Sequence, residues 1–111
     1  MLEVDTDVIK GIMFVNLSGE LTNDTMRDVE DELNYLLYKQ GMHFFIFNFK
    51  NVNVIEYSAL NQLQKILIEI FLSCGNVVMC GMSDICKKKL GLLDRVNYTN
   101  SEIDAFKLLN V

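Results

Sequence analysis

Apolar positions along this chain change their period repeatedly, and each change marks the edge of an element. Leu2, Val4 and Val8 suggest a short first strand, interrupted by the polar Asp5 and Asp7. Lys10-Gly11 gives a turn, and Ile12-Met13-Phe14-Val15-Asn16-Leu17 reads as a second strand. Adjacent strands with so short a link form an antiparallel hairpin. The stretch from Gly19 to Asp24 leads into a helix, with Thr22, Asn23 and Asp24 as candidate caps. Met26, Val29, Leu33, Leu36 and Leu37 make its apolar stripe, and Gly41 stops it.

The second half keeps alternating. A strand over 43–49 carries the apolar run Phe44-Phe45-Ile46-Phe47, too short for a globular helix and rich in strand-favouring aromatics. Leu60, Leu63, Ile66, Leu67, Ile70 and Phe71 then recur at helical spacing until Cys74-Gly75-Asn76. Val77-Val78-Met79-Cys80 is a strand, Ser83 caps a short helix through Lys88 or Lys89, and 91–94 turns into a last strand around Arg95–Tyr98. Thr99, Asn100 or Ser101 caps a terminal helix containing Ile103, Phe106 and Leu109 or Val111. The order is β-β-α-β-α-β-α-β-α. It implies an α/β fold with a mostly parallel central sheet, opened by an antiparallel hairpin and carrying about four helices on right-handed crossovers. The nearly all-apolar strands after the hairpin belong at the centre. No linker or repeat interrupts the pattern, so residues 1–111 read as a single domain.

Composition narrows the function. Half of the 111 residues are hydrophobic and 23% are charged, the balance of a globular chain. A formal net charge of −5 argues against direct nucleic-acid binding, which needs a basic face, but suits a partner with a basic patch. Cys74, Cys80 and Cys86 are odd in number and lack C-x-x-C spacing, and with His43 as the one histidine a zinc site would need remote carboxylates. No metal and no cofactor are expected. The thiols read as reduced and mostly buried, in a cytoplasmic protein. The first residues, MLEVDTDVIKG, carry acids where a signal peptide carries bases, and no apolar run is long enough for membrane insertion.

Chemistry concentrates in Glu56-Tyr57-Ser58-Ala59, between the 43–49 strand and the second helix. A serine at a helix start lies beside unpaired backbone N–H groups and the positive end of the helix dipole. Ser58 there is either a plain helix cap or a position able to hold an anion, including a phosphoryl group on the serine itself. Asp24, Asp28, Glu30, Asp31 and Glu32 crowd the front of the first helix, where they suit its dipole or offer an acidic face to a basic partner. Lys87-Lys88-Lys89 reads as a solvated helix end, and His43 as a solvated or core histidine. No Ser-His-Asp pattern, glycine-rich phosphate loop, G-x-S-x-G elbow or metal cluster points to an enzyme.

Two stretches are similar to the patterns of a known family. Leu17-Ser18-Gly19-Glu20-Leu21, followed by Thr25, is similar to L-x-G-x-L-D-x-x-T before a first helix. Phe47-Asn48-Phe49-Lys50-Asn51-Val52-Asn53-Val54-Ile55-Glu56-Tyr57-Ser58-Ala59-Leu60 is similar to a strand ending in L-D-L-x-x-v-x-f-i-D-S-S-G-L. Val78 to Ser83 and Leu90 to Leu93 fit more loosely. On these residues the chain resembles STAS domains, and most of all the free-standing bacterial anti-sigma factor antagonists, from about the second strand to the terminal helix. It departs from them at Thr22 and Glu56, which replace aspartates, at Tyr57, which replaces a serine, and at Ala59, which replaces a glycine. Ser58 corresponds to the serine that is phosphorylated in the sigma-factor regulators.

The resemblance implies a non-enzymatic regulatory module that binds an anti-sigma factor or related serine-protein kinase, is released by phosphorylation at Ser58, and is reset by a phosphatase. The expected partner surface joins Glu20, Thr22, Asn23 and Asp24 in one turn to Glu56, Tyr57, Ser58 and Ala59 in another. Both turns follow or flank the C-terminal ends of parallel strands, where open α/β sheets place their sites. The alternative is a non-phosphorylated STAS adaptor subunit of a larger assembly, such as a lipid-transport ABC complex or a signalling scaffold.

Overall fold

The structure is a computed structural model, and it describes residues 1–91 and 96–109. Five strands lie in the order β1-β2-β3-β4-β5. β1 (Leu2–Ile9) and β2 (Ile12–Leu21) form the antiparallel hairpin, and β3 (Phe44–Ile55), β4 (Asn76–Cys80) and β5 (Asn97–Thr99) add in parallel. Ile9 pairs with Ile12, so the hairpin loop is Lys10-Gly11 alone. Both loop residues have positive φ, 52° and 78°, the requirement of a two-residue loop that follows the strand twist.

β1 runs unbroken through Asp5 and Asp7, contrary to the short strand expected. It is an edge strand: Leu2 is buried and Val4 packs on the core, while the side chains of Asp5 and Asp7 stand in water. β2 and β3 are also longer than their apolar runs suggested. β2 continues from Leu17 to Leu21, and β3 continues from Phe49 to Ile55. Opposite Leu17 and again before Glu20, β3 carries one residue more than β2, so its core positions change spacing. Phe45, Phe47 and Phe49 alternate by two, but the next core-packed positions, Val52 and Ile55, follow by three. Asn48 Oδ1 accepts the Lys50 N–H at 2.9 Å and supports the first of these bulges.

Helices α1 (Met26–Asn34), α2 (Tyr57–Leu72) and α3 (Asp84–Leu90) contribute to one large apolar cluster with the inward residues of the sheet. The five-residue stripe of the first helix is buried as expected, although Tyr35–Lys39 widens into a π-helical turn. Gly41, at φ 66°, then ends the helix, with the Met42 N–H donating to the Leu36 carbonyl at 3.0 Å. Gly75 allows the chain to turn out of α2, because a Cβ there would meet the His43 carbonyl at 2.6 Å. α4 (Glu102–Leu109) covers the opposite sheet face, where Ala105 and Phe106 pack on Ile12, Phe14, Ile46 and Val78. Asn48 Nδ2 donates to Glu102 Oε1 at 2.6 Å and ties α4 to β3.

Smaller expectations resolve in turn. Ser83 caps α3, its Oγ accepting the Cys86 N–H at 3.3 Å, and Gly91 at φ 75° follows the helix. Of the candidate caps for α4, Ser101 takes the part through the Asp104 N–H. The last strand is described over Asn97–Thr99, and Arg95, like Leu92, Leu93, Asp94 and Val111, lies outside the described residues. Lys87 and Lys89 are not simply solvated: their ammonium groups each sit 5.2 Å from an aromatic ring centre, over Tyr98 and Tyr57 respectively.

Leu63 has no exposed surface and lies on the face of α2 that meets the sheet. Leu63→Ala is therefore expected to cost about 2–5 kcal/mol, read as a lowered denaturation midpoint. An unchanged midpoint would place this side chain off the core. The thiols make a second test. Cys80 is buried, and desolvation, with the Glu102 charge adding to it, pushes its pKa up to about 11. Cys86 is buried as well, and Cys74 is exposed. Iodoacetamide at pH 8 is expected to label Cys74 in the native protein and Cys80 and Cys86 only after unfolding, as mass spectrometry would show.

Candidate functional site

The ends of β2 and β3 deliver both expected turns to one place. After Leu21 the chain winds through 22–25 into α1, and after Ile55 it passes Glu56 into α2. The Glu56 N–H donates to the Leu21 carbonyl at 2.9 Å, which extends the parallel ladder to the mouth of α2. Across the gap Glu56 Oε1 accepts the Asn23 N–H at 2.9 Å. Gln62 Nε2 donates to Asn23 Oδ1 at 2.9 Å from one turn into the helix. Asn23 is thus held from both sides by α2.

Threonines shape the 22–25 turn. Thr25 Oγ1 donates to the Glu20 carbonyl at 2.7 Å and accepts the Thr22 N–H at 2.8 Å, while the Thr25 N–H donates to Thr22 Oγ1 at 3.2 Å. The Met26 N–H already reaches the Thr22 carbonyl at 2.9 Å, so the first helical turn is wound before α1 formally begins. None of the three candidate caps holds the N-cap position, which is Thr25 and makes no side-chain cap bond; Thr22 Oγ1 instead braces the turn before it, and Asn23 and Asp24 remain at the surface. Gly19, at φ 112°, sits where any Cβ would run into the Met1 carbonyl, so only glycine lets β1 pair closely there.

Ser58 is not the cap of α2. Glu56 holds the N-cap position in extended backbone (φ −80°, ψ 132°) without a side-chain cap bond, and Ser58 is the second residue of the helix. Its side chain is exposed. It shares a face with Gln62, four residues on, and that face looks toward the 22–25 turn. Tyr57 belongs to the other side. Lys89 lies over its ring, and two helical turns along, Gln64 Nε2 donates to the Leu90 carbonyl at 2.8 Å. Tyr57 also walls a cleft of about 290 Å³ with Val52, Ile55 and Met82.

Ala59 corrects one expectation. It has no exposed surface and packs into the core, so it offers no side chain to a partner. Of the remaining expected residues, those of the 20–24 turn are brought beside Glu56 and the Ser58 face of α2 through Asn23, whereas Tyr57 turns toward α3. Sequence reading missed Gln62 and Lys89; the i+4 spacing from Ser58 was a signal for the former, and only the packing of α3 on α2 reveals the latter.

No polar or charged residue among the described ones is buried as a whole, although the Tyr98 hydroxyl is. No group of His, Cys, Asp and Glu among them could hold a metal ion. Resolved titration shifts fall elsewhere: the Tyr38 hydroxyl is raised by its 3.1 Å bond to Glu69, and burial raises Tyr98, whose hydroxyl has no partner among the described residues. No helix among the described residues is long and apolar enough to cross a membrane.

Comparison with known proteins adds the following. The family model of the STAS domain matches residues 3–105. No curated protein matches the chain. A putative anti-sigma factor antagonist from Thermotoga maritima is similar in structure at 16% identity, with a TM-score of 0.83 over 97% of this chain and 95% of that one. The Bacillus cell fate determinant SpoIIAA in its phosphorylated form is similar at 15% identity, with a TM-score of 0.77 over 98% and 99%. A variant of RsbS from Moorella thermoacetica is similar at 14% identity, with a TM-score of 0.81 over 96% and 94%. At these identities the structures share the fold.

Removing the Thr25 hydroxyl tests the construction of the turn. Thr25→Val keeps the shape and deletes the bonds to Glu20 and Thr22, for an expected loss of about 1–2 kcal/mol in chemical denaturation. A loss indistinguishable from zero would show that water replaces them without penalty.

Proposed function

The chain belongs to the STAS domain family, and on that footing we propose that it is a regulatory protein-binding module of the anti-sigma factor antagonist kind. Its partner is an anti-sigma factor or related serine-protein kinase, it is released by phosphorylation at Ser58, and a phosphatase restores it. The observation that carries this reading is the exposed Ser58 in the first turn of α2, on the face that looks toward the 22–25 turn. A helix start tolerates an added phosphoryl group, because the dipole and the first N–H groups favour negative charge. The partner does not tolerate it equally. Glu20, Asp24 and Glu56 already make this surface acidic, and a partner shaped for the neutral hydroxyl must desolvate or repel about −1.5 to −2 further charges. The three free thiols suit a reducing compartment, the cytoplasm.

Ser58→Ala is expected to bind the kinase partner normally and to resist release by kinase and ATP. Ser58→Asp is expected to fold normally and to bind on the order of a hundredfold more weakly, roughly 3 kcal/mol. Titration calorimetry of each variant with the purified partner, before and after ATP, reads both. Equal release of Ser58→Ala and the unaltered protein would remove Ser58 as the switch and favour the non-phosphorylated adaptor role.

A further inference from the structure

The proposed switch leaves open how a charge on Ser58 reaches the turn beside it. Asn23 is gripped twice from α2, by the Glu56 carboxylate on its backbone N–H and by the Gln62 amide on its side chain, each at 2.9 Å. Ser58 lies between these two residues in the sequence and on the Gln62 side of the helix. Lys89 does not intervene, since it is engaged over Tyr57 on the α3 side. The carboxylate nearest in sequence to a phosphoryl group on Ser58 is therefore the one that holds Asn23.

We propose that Glu56 is a positioning residue that relays the modification state of Ser58 to the 22–25 turn. The inference rests on Ser58 being the modified residue. With the hydroxyl neutral, Glu56 keeps its bond to Asn23 and both turns form one surface. A phosphoryl dianion two residues along repels the carboxylate, and both groups are exposed, so Glu56 is free to swing into water. Asn23 then loses the acceptor on its N–H, and only the Gln62 amide still holds it. The turn loses one of its two side-chain tethers to α2, although the core beneath it is untouched. A partner thus meets two changes from one event, an added charge on α2 and a loosened turn on α1.

Nuclear magnetic resonance of isotope-labelled protein tests the relay without a kinase or partner, with phosphoserine built in at position 58 during synthesis. The readout is the Asn23 backbone amide proton. In the unmodified protein it is expected downfield, as for an amide bonded to a carboxylate. Phosphoserine at 58 is expected to move it upfield toward the position it takes in Glu56→Ala. In Glu56→Ala itself phosphoserine should add no further movement. In Glu56→Gln, which keeps the acceptor oxygen but not the charge, the amide should stay bonded with or without phosphoserine. An Asn23 amide that ignores phosphoserine overturns the relay. So does one that moves equally in the Glu56→Ala background, or one that moves in Glu56→Gln as it does with Glu56. Because the phosphoserine is installed directly, these outcomes stand apart from whether a kinase releases the protein, which the Ser58→Ala experiment decides.

Discussion

The parallel ladder between β2 and β3 carries the rest of the molecule. It starts inside the sheet, where Ile12 pairs with Phe44, and it runs on to Leu21 and Ile55. β4 accompanies β3 only as far as the pairing of Asn48 with Cys80, so the last part of the ladder projects beyond the other parallel strands. Its backbone N–H and C=O groups must still be satisfied, and the two strands satisfy one another. That mutual requirement brings two turns, separated by 33 residues between Asn23 and Glu56, within a single hydrogen bond of each other.

The two bulges make the projection possible. Each inserts one residue into β3 and increases local twist, so that Phe49, Val52 and Ile55 keep packing on the core while Lys50, Asn51, Asn53 and Val54 between them face outward. Without them a strict alternation would turn half of this segment the wrong way. The last core-packed residue, Ile55, fixes where α2 begins, and Ala59 and Leu60 anchor its first turn underneath. Ser58 is exposed because its neighbours on the inner face are fully buried.

A site assembled this way is rigid below and adaptable above. Everything beneath the two turns is apolar and close-packed, whereas the links between them, Glu56 to Asn23 and Gln62 to Asn23, are exposed hydrogen bonds. Exposed bonds of this kind contribute modest net stability, since water competes for both partners. They can therefore be exchanged without unfolding the domain. A regulatory surface needs that combination: a stable fold that stays put and a boundary whose bonds respond to one added charge.

The element order, the parallel sheet with its antiparallel opening and the apolar faces of the helices were legible from periodicity alone, because burial of one face imposes a period of two or 3.6 on any sequence. Gly19, Thr25 and Ser58 also stood out as residues in a recognisable pattern, and the resemblance they carried pointed to the family. The lengths of β1, β2 and β3 were not legible. An edge strand need bury little, and a bulged strand breaks its own alternation, so Asp5 and Asn51 looked like loop residues while their backbones were paired, and Asn53 is the extra residue of the second bulge. Nor could the sequence say that Ala59 faces inward, that Glu56 rather than Ser58 takes the N-cap position, or that Lys89 lies over Tyr57. Those facts depend on the phase of one helix against the sheet and against its neighbours. Local sequence sets the period of a helix, and only packing sets its phase.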